Sequence, residues 1–135
     1  MKKLLLSLSL VLILHSCVEN EMISLEEGEL PLGAWTIDAR QENGFTLKAT
    51  NTLPKNTYGY VFEKNGKLIN RSNSGFCGTP PIVTADFDGK WKWQDEVLKL
   101  EMRFWGGTIN EEWKILSSGP MTFTVELLKS EYKFD

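Results

Sequence analysis

The feature that most constrains this chain is a hydrophobic period of two. Leu98, Leu100, Met102 and Phe104 alternate with Lys99, Glu101 and Arg103, and Met121, Phe123, Val125 and Leu127 alternate with Thr122, Thr124 and Glu126. Side chains on an extended strand point to opposite sides in turn, so each run has one apolar face that must be covered. Ile109, Trp113 and Ile115 share a parity in the segment between them, and Glu111 breaks it. An acid on an otherwise inward face lies near a rim or has a partner.

Turn residues punctuate these runs at short intervals. Asn65-Gly66 predicts a type I′ hairpin, because both central positions of that turn need a positive φ. Asp88-Gly89 is expected to act in the same way, Gln94-Asp95-Glu96 links two further strands, and Gly106-Gly107 and residues 117–120 separate the last three. Candidate strands lie near 33–40, 44–50, 57–63, 67–72, 81–86, 89–94, 97–104, 109–116 and 121–128, the second and fifth being the weakest. About eight short strands with short connections predict an all-β fold, a small up-and-down antiparallel β-barrel, in which closure removes exposed sheet edges.

Composition narrows the function. Lys and Arg number 15 against 18 Asp and Glu, a net charge of −3, which argues against nucleic-acid phosphates as a partner. One His and two Cys exclude a disulfide scaffold and metal centres built on several imidazoles or thiolates, so no metal and no cofactor is expected. The His is at position 15, inside the N-terminal segment, which leaves the remainder without the commonest general base. No catalytic residue is assigned, and the chain reads as a binding protein and not an enzyme.

That N-terminal segment has the parts of a secretory signal: Lys2 and Lys3, an apolar stretch over residues 4–14, then Leu14-His15-Ser16-Cys17. As a helix the apolar stretch would rise roughly 16 Å, about half of a hydrocarbon core of about 30 Å, too short for a permanent span. Leu14-His15-Ser16-Cys17 resembles a bacterial lipobox. The resemblance implies cleavage before Cys17 and acylation of its thiol by chains such as palmitate, which anchor the protein to a membrane. The expected organisation is a lipoprotein signal at 1–16, an acidic tether at 17–32 carrying Glu19, Glu21, Glu26, Glu27 and Glu29, and one domain at 33–135. Acids soon after the lipidated cysteine are similar to the surface-export signal of Bacteroidetes lipoproteins. The expected location is the cell envelope, at the outer membrane, on its periplasmic or its surface side.

Gly33-Ala34-Trp35 matches the Gly-x-Trp that opens lipocalins. In order after it come Tyr60, Phe62 and the Asn65-Gly66 turn, then Gly89-Lys90-Trp91, then the alternating strand 97–104. This series resembles the lipocalin-like lipoproteins of the Bacteroidetes over nearly all of residues 33–135. The chain is shorter than the larger lipocalins, lacks their Thr-Asp-Tyr loop motif, and offers Lys129 as the nearest stand-in for a last-strand Arg over Trp35.

The aromatic content is the strongest remaining signal. Trp35, Tyr60, Phe62, Trp91, Trp93, Met102, Phe104, Trp113 and Phe123 are the candidate ligand-binding residues by parity, and the same residues suit a filled core. Trp105, opposite in parity to Phe104, is expected outside, where it could meet a partner. Cys77 reads as a buried loop cysteine. Asp86-Phe87-Asp88-Gly89 opens like a calcium loop, lacks the later ligands, and is read as a hairpin turn. Two functions fit: a membrane-anchored barrel that takes a small hydrophobic ligand, or a filled barrel that binds or inhibits another envelope protein through its loops.

Overall fold

A computed structural model describes residues 31–76, 81 and 83–135. The expected signal, tether and Cys17 lie outside the described residues, apart from Pro31 and Leu32, and so does Cys77. The described chain is all-β: β1 (Gly33–Gln41), β2 (Gly44–Thr50), β3 (Gly59–Phe62), β4 (Lys67–Asn73), β5 (Thr84–Gln94), β6 (Val97–Phe104), β7 (Gly107–Ser118) and β8 (Thr122–Phe134). They close into an antiparallel eight-stranded barrel in the order β1-β2-β8-β7-β6-β5-β4-β3, with β3 back against β1.

From β3 to β8 the barrel is a plain meander, and one exchange departs from chain order: β1 lies between β2 and β3. Residues 51–58 make the crossing. They leave β2 beside the start of β1, where Thr50 pairs with Ala34, and reach β3 on the other side of β1. Arg71, on the outer face of β4, donates to the carbonyls of Leu53 and Pro54 at 2.8 and 3.0 Å, so the crossing runs over the outside of the barrel. Gly59 is required beneath it. A Cβ there would strike the Trp35 carbonyl and come within 2.7 Å of Leu53 Cδ2.

Two turn expectations are corrected. Asp88-Gly89 is not a hairpin: segments 81–86 and 89–94 merge into the single strand β5, with Asp88 paired to Ile69 and Gly89 to both Leu68 and Met102. Glycine is needed there for close approach, since a Cβ would lie 2.6 Å from the Glu101 carbonyl oxygen. Residues 65–66 do turn a hairpin, but only Gly66 takes a positive φ, 87°. The Glu63 amide donates to the Lys67 carbonyl at 2.9 Å around a three-residue loop, the Gly66 amide to the Glu63 carbonyl at 3.1 Å, and Asn65 Oδ1 accepts from the Lys67 amide at 3.0 Å, an Asx turn in place of type I′. The two-residue turn with both φ positive is Asp95-Glu96, at 54° and 63°.

Bulges decide which side chains enter the barrel. Ile37 pairs with Leu47 and Ala39 with Thr46, so Asp38 is an extra residue and the inward parity of β1 passes from Trp35 and Ile37 to Arg40. Glu112 pairs with Lys129 and Trp113 with Leu127, so Leu128 is extra in β8. Phe123, Val125 and Leu127 face inward before it, Ser130, Tyr132 and Phe134 after it. β8 runs on to Phe134, paired with β7 throughout and six residues beyond the expected end at 128.

Candidate functional site

The two halves of the barrel interior differ. At the end that holds the start of β1, the space is full: Trp35, Leu47, Phe62, Leu68, Trp91, Leu98, Leu100, Phe123 and Val125 are buried together. Trp35 meets Phe123 edge-on with ring centroids 4.6 Å apart, and Phe62 meets Trp91 at 5.8 Å. The indole N–H groups are satisfied, Trp35 Nε1 donating to the Pro31 carbonyl at 3.2 Å and Trp91 Nε1 to the carbonyls of Glu63 and Lys67 at 2.9 and 3.0 Å. Trp113 caps this packed half. It is fully buried and meets Phe45 and Tyr60 edge-on, both at 5.0 Å.

Beyond Trp113 the barrel opens into a mouth cavity of about 620 Å³. Phe45, Tyr60, Met102, Phe104, Ile109 and Leu127 form its apolar wall, and Arg40, Asn70, Glu111, Ser130 and Tyr132 bring polar groups to it. Asn70 is the one buried polar residue among the described residues, and its Nδ2 donates to the Arg103 carbonyl at 3.1 Å. Glu111 accepts from Trp113 Nε1 at 2.7 Å on Oε2 and from Ser130 Oγ at 3.4 Å on Oε1. Burial raises its pKa above the ordinary carboxylate range, against the pull of these two bonds and of the more distant Arg40 charge. Burial also raises the Tyr60 phenol far above its usual range, helped by the nearby Glu111 charge. The expectation that Glu111 lies near a rim or has a partner is met through its partners Trp113 and Ser130.

Aromatic side chains crown the mouth. Phe104 is buried and packs edge-on against Trp105, Tyr132 and Phe134, with ring centroids 5.8, 5.6 and 5.5 Å away. Trp105 also meets Phe76 at 5.6 Å. Phe76 is 85% exposed, Phe134 66%, Tyr132 58% and Trp105 42%, so the expectation that Trp105 lies outside is met.

A larger hollow of about 790 Å³ lies on the outer surface across β5 to β8, lined in part by Lys90, Lys92, Lys99, Glu101, Glu112 and Lys129. These are solvated residues, and Lys99 pairs with Glu112 at 3.5 Å. It differs from the mouth in its lining, which is mainly charged side chains on the outer face of the sheet in place of the aromatic and aliphatic wall of the barrel interior.

Of the sequence-derived candidates, Tyr60, Met102 and Phe104 line the mouth, while Trp35, Phe62, Trp91 and Phe123 belong to the packed half. Trp113 divides the two, and Trp93 is a half-buried residue packed against the core. Parity missed Arg40, Ser130 and Tyr132, because bulges turn them inward; Asn70 was legible only as an inward neighbour of Leu68. Among the described residues, no three His, Cys, Asp or Glu side chains gather where they could hold a metal ion. Comparison with family models, curated proteins and solved structures finds no match for the chain.

Proposed function

We infer that the protein is a membrane-anchored cell-envelope lipoprotein whose barrel takes a small, mainly hydrophobic ligand into the mouth without transforming it. The observation that carries this reading is the mouth cavity, about 620 Å³ with an apolar inner wall and a polar surround, within the size range of small-molecule sites. The lipobox-like Leu14-His15-Ser16-Cys17 and the order of lipocalin-like motifs support the anchoring and the outer-membrane location. The absence of a second His or of a Ser-His-Asp set in the sequence supports binding over catalysis.

Native mass spectrometry of the full chain carrying Cys17→Ser tests the ligand. A small co-purified mass that disappears on denaturation supports the reading. A clean apo mass after incubation with fatty acids, sterols and quinones argues against it. Metabolic labelling with palmitate tests the anchor: the label enters the wild-type chain and is lost in Cys17→Ser.

The exposed rings of Phe76, Trp105, Tyr132 and Phe134 favour a second reading, a lipoprotein that docks on another envelope protein through its mouth rim. Phe76→Ala, at an exposed ring outside the cavity lining, then weakens partner capture and leaves small-molecule binding intact.

A further inference from the structure

Two opposite charges in the mouth, Arg40 and Glu111, do not meet; Glu42 and Arg71 line it as well, and Arg71 is already paired with Asp86. Arg40 reaches the inner face of β1 because the Asp38 bulge reverses its parity, and Glu111 sits on the inner face of β7, three steps around the barrel. The ion pairs among the described residues join Arg71 to Asp86, Lys99 to Glu112, Arg103 to Asp135 and Lys129 to Glu131, and include neither. The donors on Glu111, Trp113 Nε1 and Ser130 Oγ, are both neutral. The other groups packed around it are Tyr60 from β3, Tyr132 from β8 and Leu100, its pairing partner on β6.

A carboxylate drawn out of water without a contacting cation is costly, and a cation brought in by a ligand would offset that cost. Arg40 across the same cavity offers planar donors suited to a carboxylate or phosphate. The rim above both is aromatic, with Phe104, Trp105 and Tyr132 forming a path from cavity to solvent.

We propose that the mouth binds an amphiphile with a zwitterionic head group, its cationic centre on Glu111, its anionic centre on Arg40 and its alkyl tail along Phe104, Trp105 and Tyr132. The assignment rests on the reading of the mouth as a binding site and names the class of ligand.

Calorimetric titration of the full chain carrying Cys17→Ser, below micelle-forming concentrations, compares five probes. They are N-decyl-N,N-dimethylglycine, decyltrimethylammonium, decanoate, decanol, and betaine without an alkyl tail. The zwitterionic decyl probe is expected to bind about tenfold tighter than each of the others. Glu111→Gln and Arg40→Gln each reduce its affinity about tenfold and leave decanol unchanged. As the pH falls, the preference fades with a midpoint above the ordinary glutamate value of 4.5.

Decanol or decanoate binding as tightly as the zwitterion, or a preference that survives both substitutions, overturns the head-group assignment while leaving the mouth as a site. Equal binding of tail-less betaine overturns the amphiphile. Failure of all five probes overturns the reading of the mouth itself. Glu111→Gln keeps side-chain size, Arg40→Gln shortens an exposed side chain, and circular dichroism separates lost recognition from lost folding.

Discussion

Glu111 rests on two neutral donors in a half-dry cavity, and its ionisation opposes folding. Its folded-state pKa is raised, so the native chain holds a proton more readily than the unfolded one between the ordinary value of 4.5 and the folded value. Stability therefore falls as pH rises through that window, and the deficit is fully present above the folded value. Glu111→Gln, whose single amide oxygen can accept from Trp113 while its Nε2 donates to the Ser130 hydroxyl, is expected to raise the melting temperature at pH 7, by roughly 4–8 °C for each kcal/mol recovered. The difference from wild type should vanish in acid, below the unfolded-state value. A variant less stable than wild type at pH 7 would show that the charged form is held favourably. The acid was legible in the sequence because Ile109 and Trp113 fix the parity around it; its donor Ser130 was not, because the bulge at Leu128 intervenes.

The outer crossing of residues 51–58 is held at its far end by Asn56, which accepts from the Thr84 amide at 3.3 Å, and by Tyr58, which donates to Asn73 at 2.6 Å, and at its near end by Arg71. Arg71 ties it to β4 through two carbonyls and itself to β5 through Asp86, at 2.6 and 3.0 Å. Arg71→Ala is expected to cost about 1–3 kcal/mol in denaturant melts and to speed amide exchange at residues 53–58 while leaving β6 and β7 protected. Arg71 holds the Asp86 carboxyl below its ordinary range, so that contribution is present above pH 3.8 and is lost as pH falls through the lower folded value. Beneath the same crossing, Gly59→Ala drives a Cβ against the Trp35 carbonyl and Leu53, with an expected cost of about 1–3 kcal/mol in thermal melts. Exchange rates uniform along the variant chain, with no excess at the crossing, would instead mean that Arg71 matters only through global stability. Asp88-Gly89 teaches a related point at this scale. A dipeptide with strong turn preference stays extended because its neighbours on β4 and β6 supply backbone partners on both sides.

At the scale of the molecule, the barrel is one ring of pairings around one core, with no seam at which a part could separate. Unfolding should be a single transition, with calorimetric and van't Hoff enthalpies in agreement and fluorescence and near-ultraviolet dichroism melting together. Separate transitions would mean that the open half of the barrel melts ahead of the packed half. That division follows from side-chain volume. Trp35, Phe62, Trp91, Trp113 and Phe123 fill one end, while residues beyond Trp113 that turn polar or rim-lining leave the other open.

The sequence by itself determined the strands, their apolar faces, the short connections and hence a closed antiparallel barrel, because a period of two acts locally and every inward face must be covered. Only the tertiary structure decided the rest. The place of β1 between β2 and β3 depends on the Arg71 and Gly59 contacts to the crossing, which lie far apart in sequence. The lining of the mouth depends on bulges at Asp38 and Leu128, where one extra residue is absorbed by a neighbouring strand and every later side chain changes face. Local alternation carries no mark of that change, since the residue that is extra is defined only by the strand it fails to pair with.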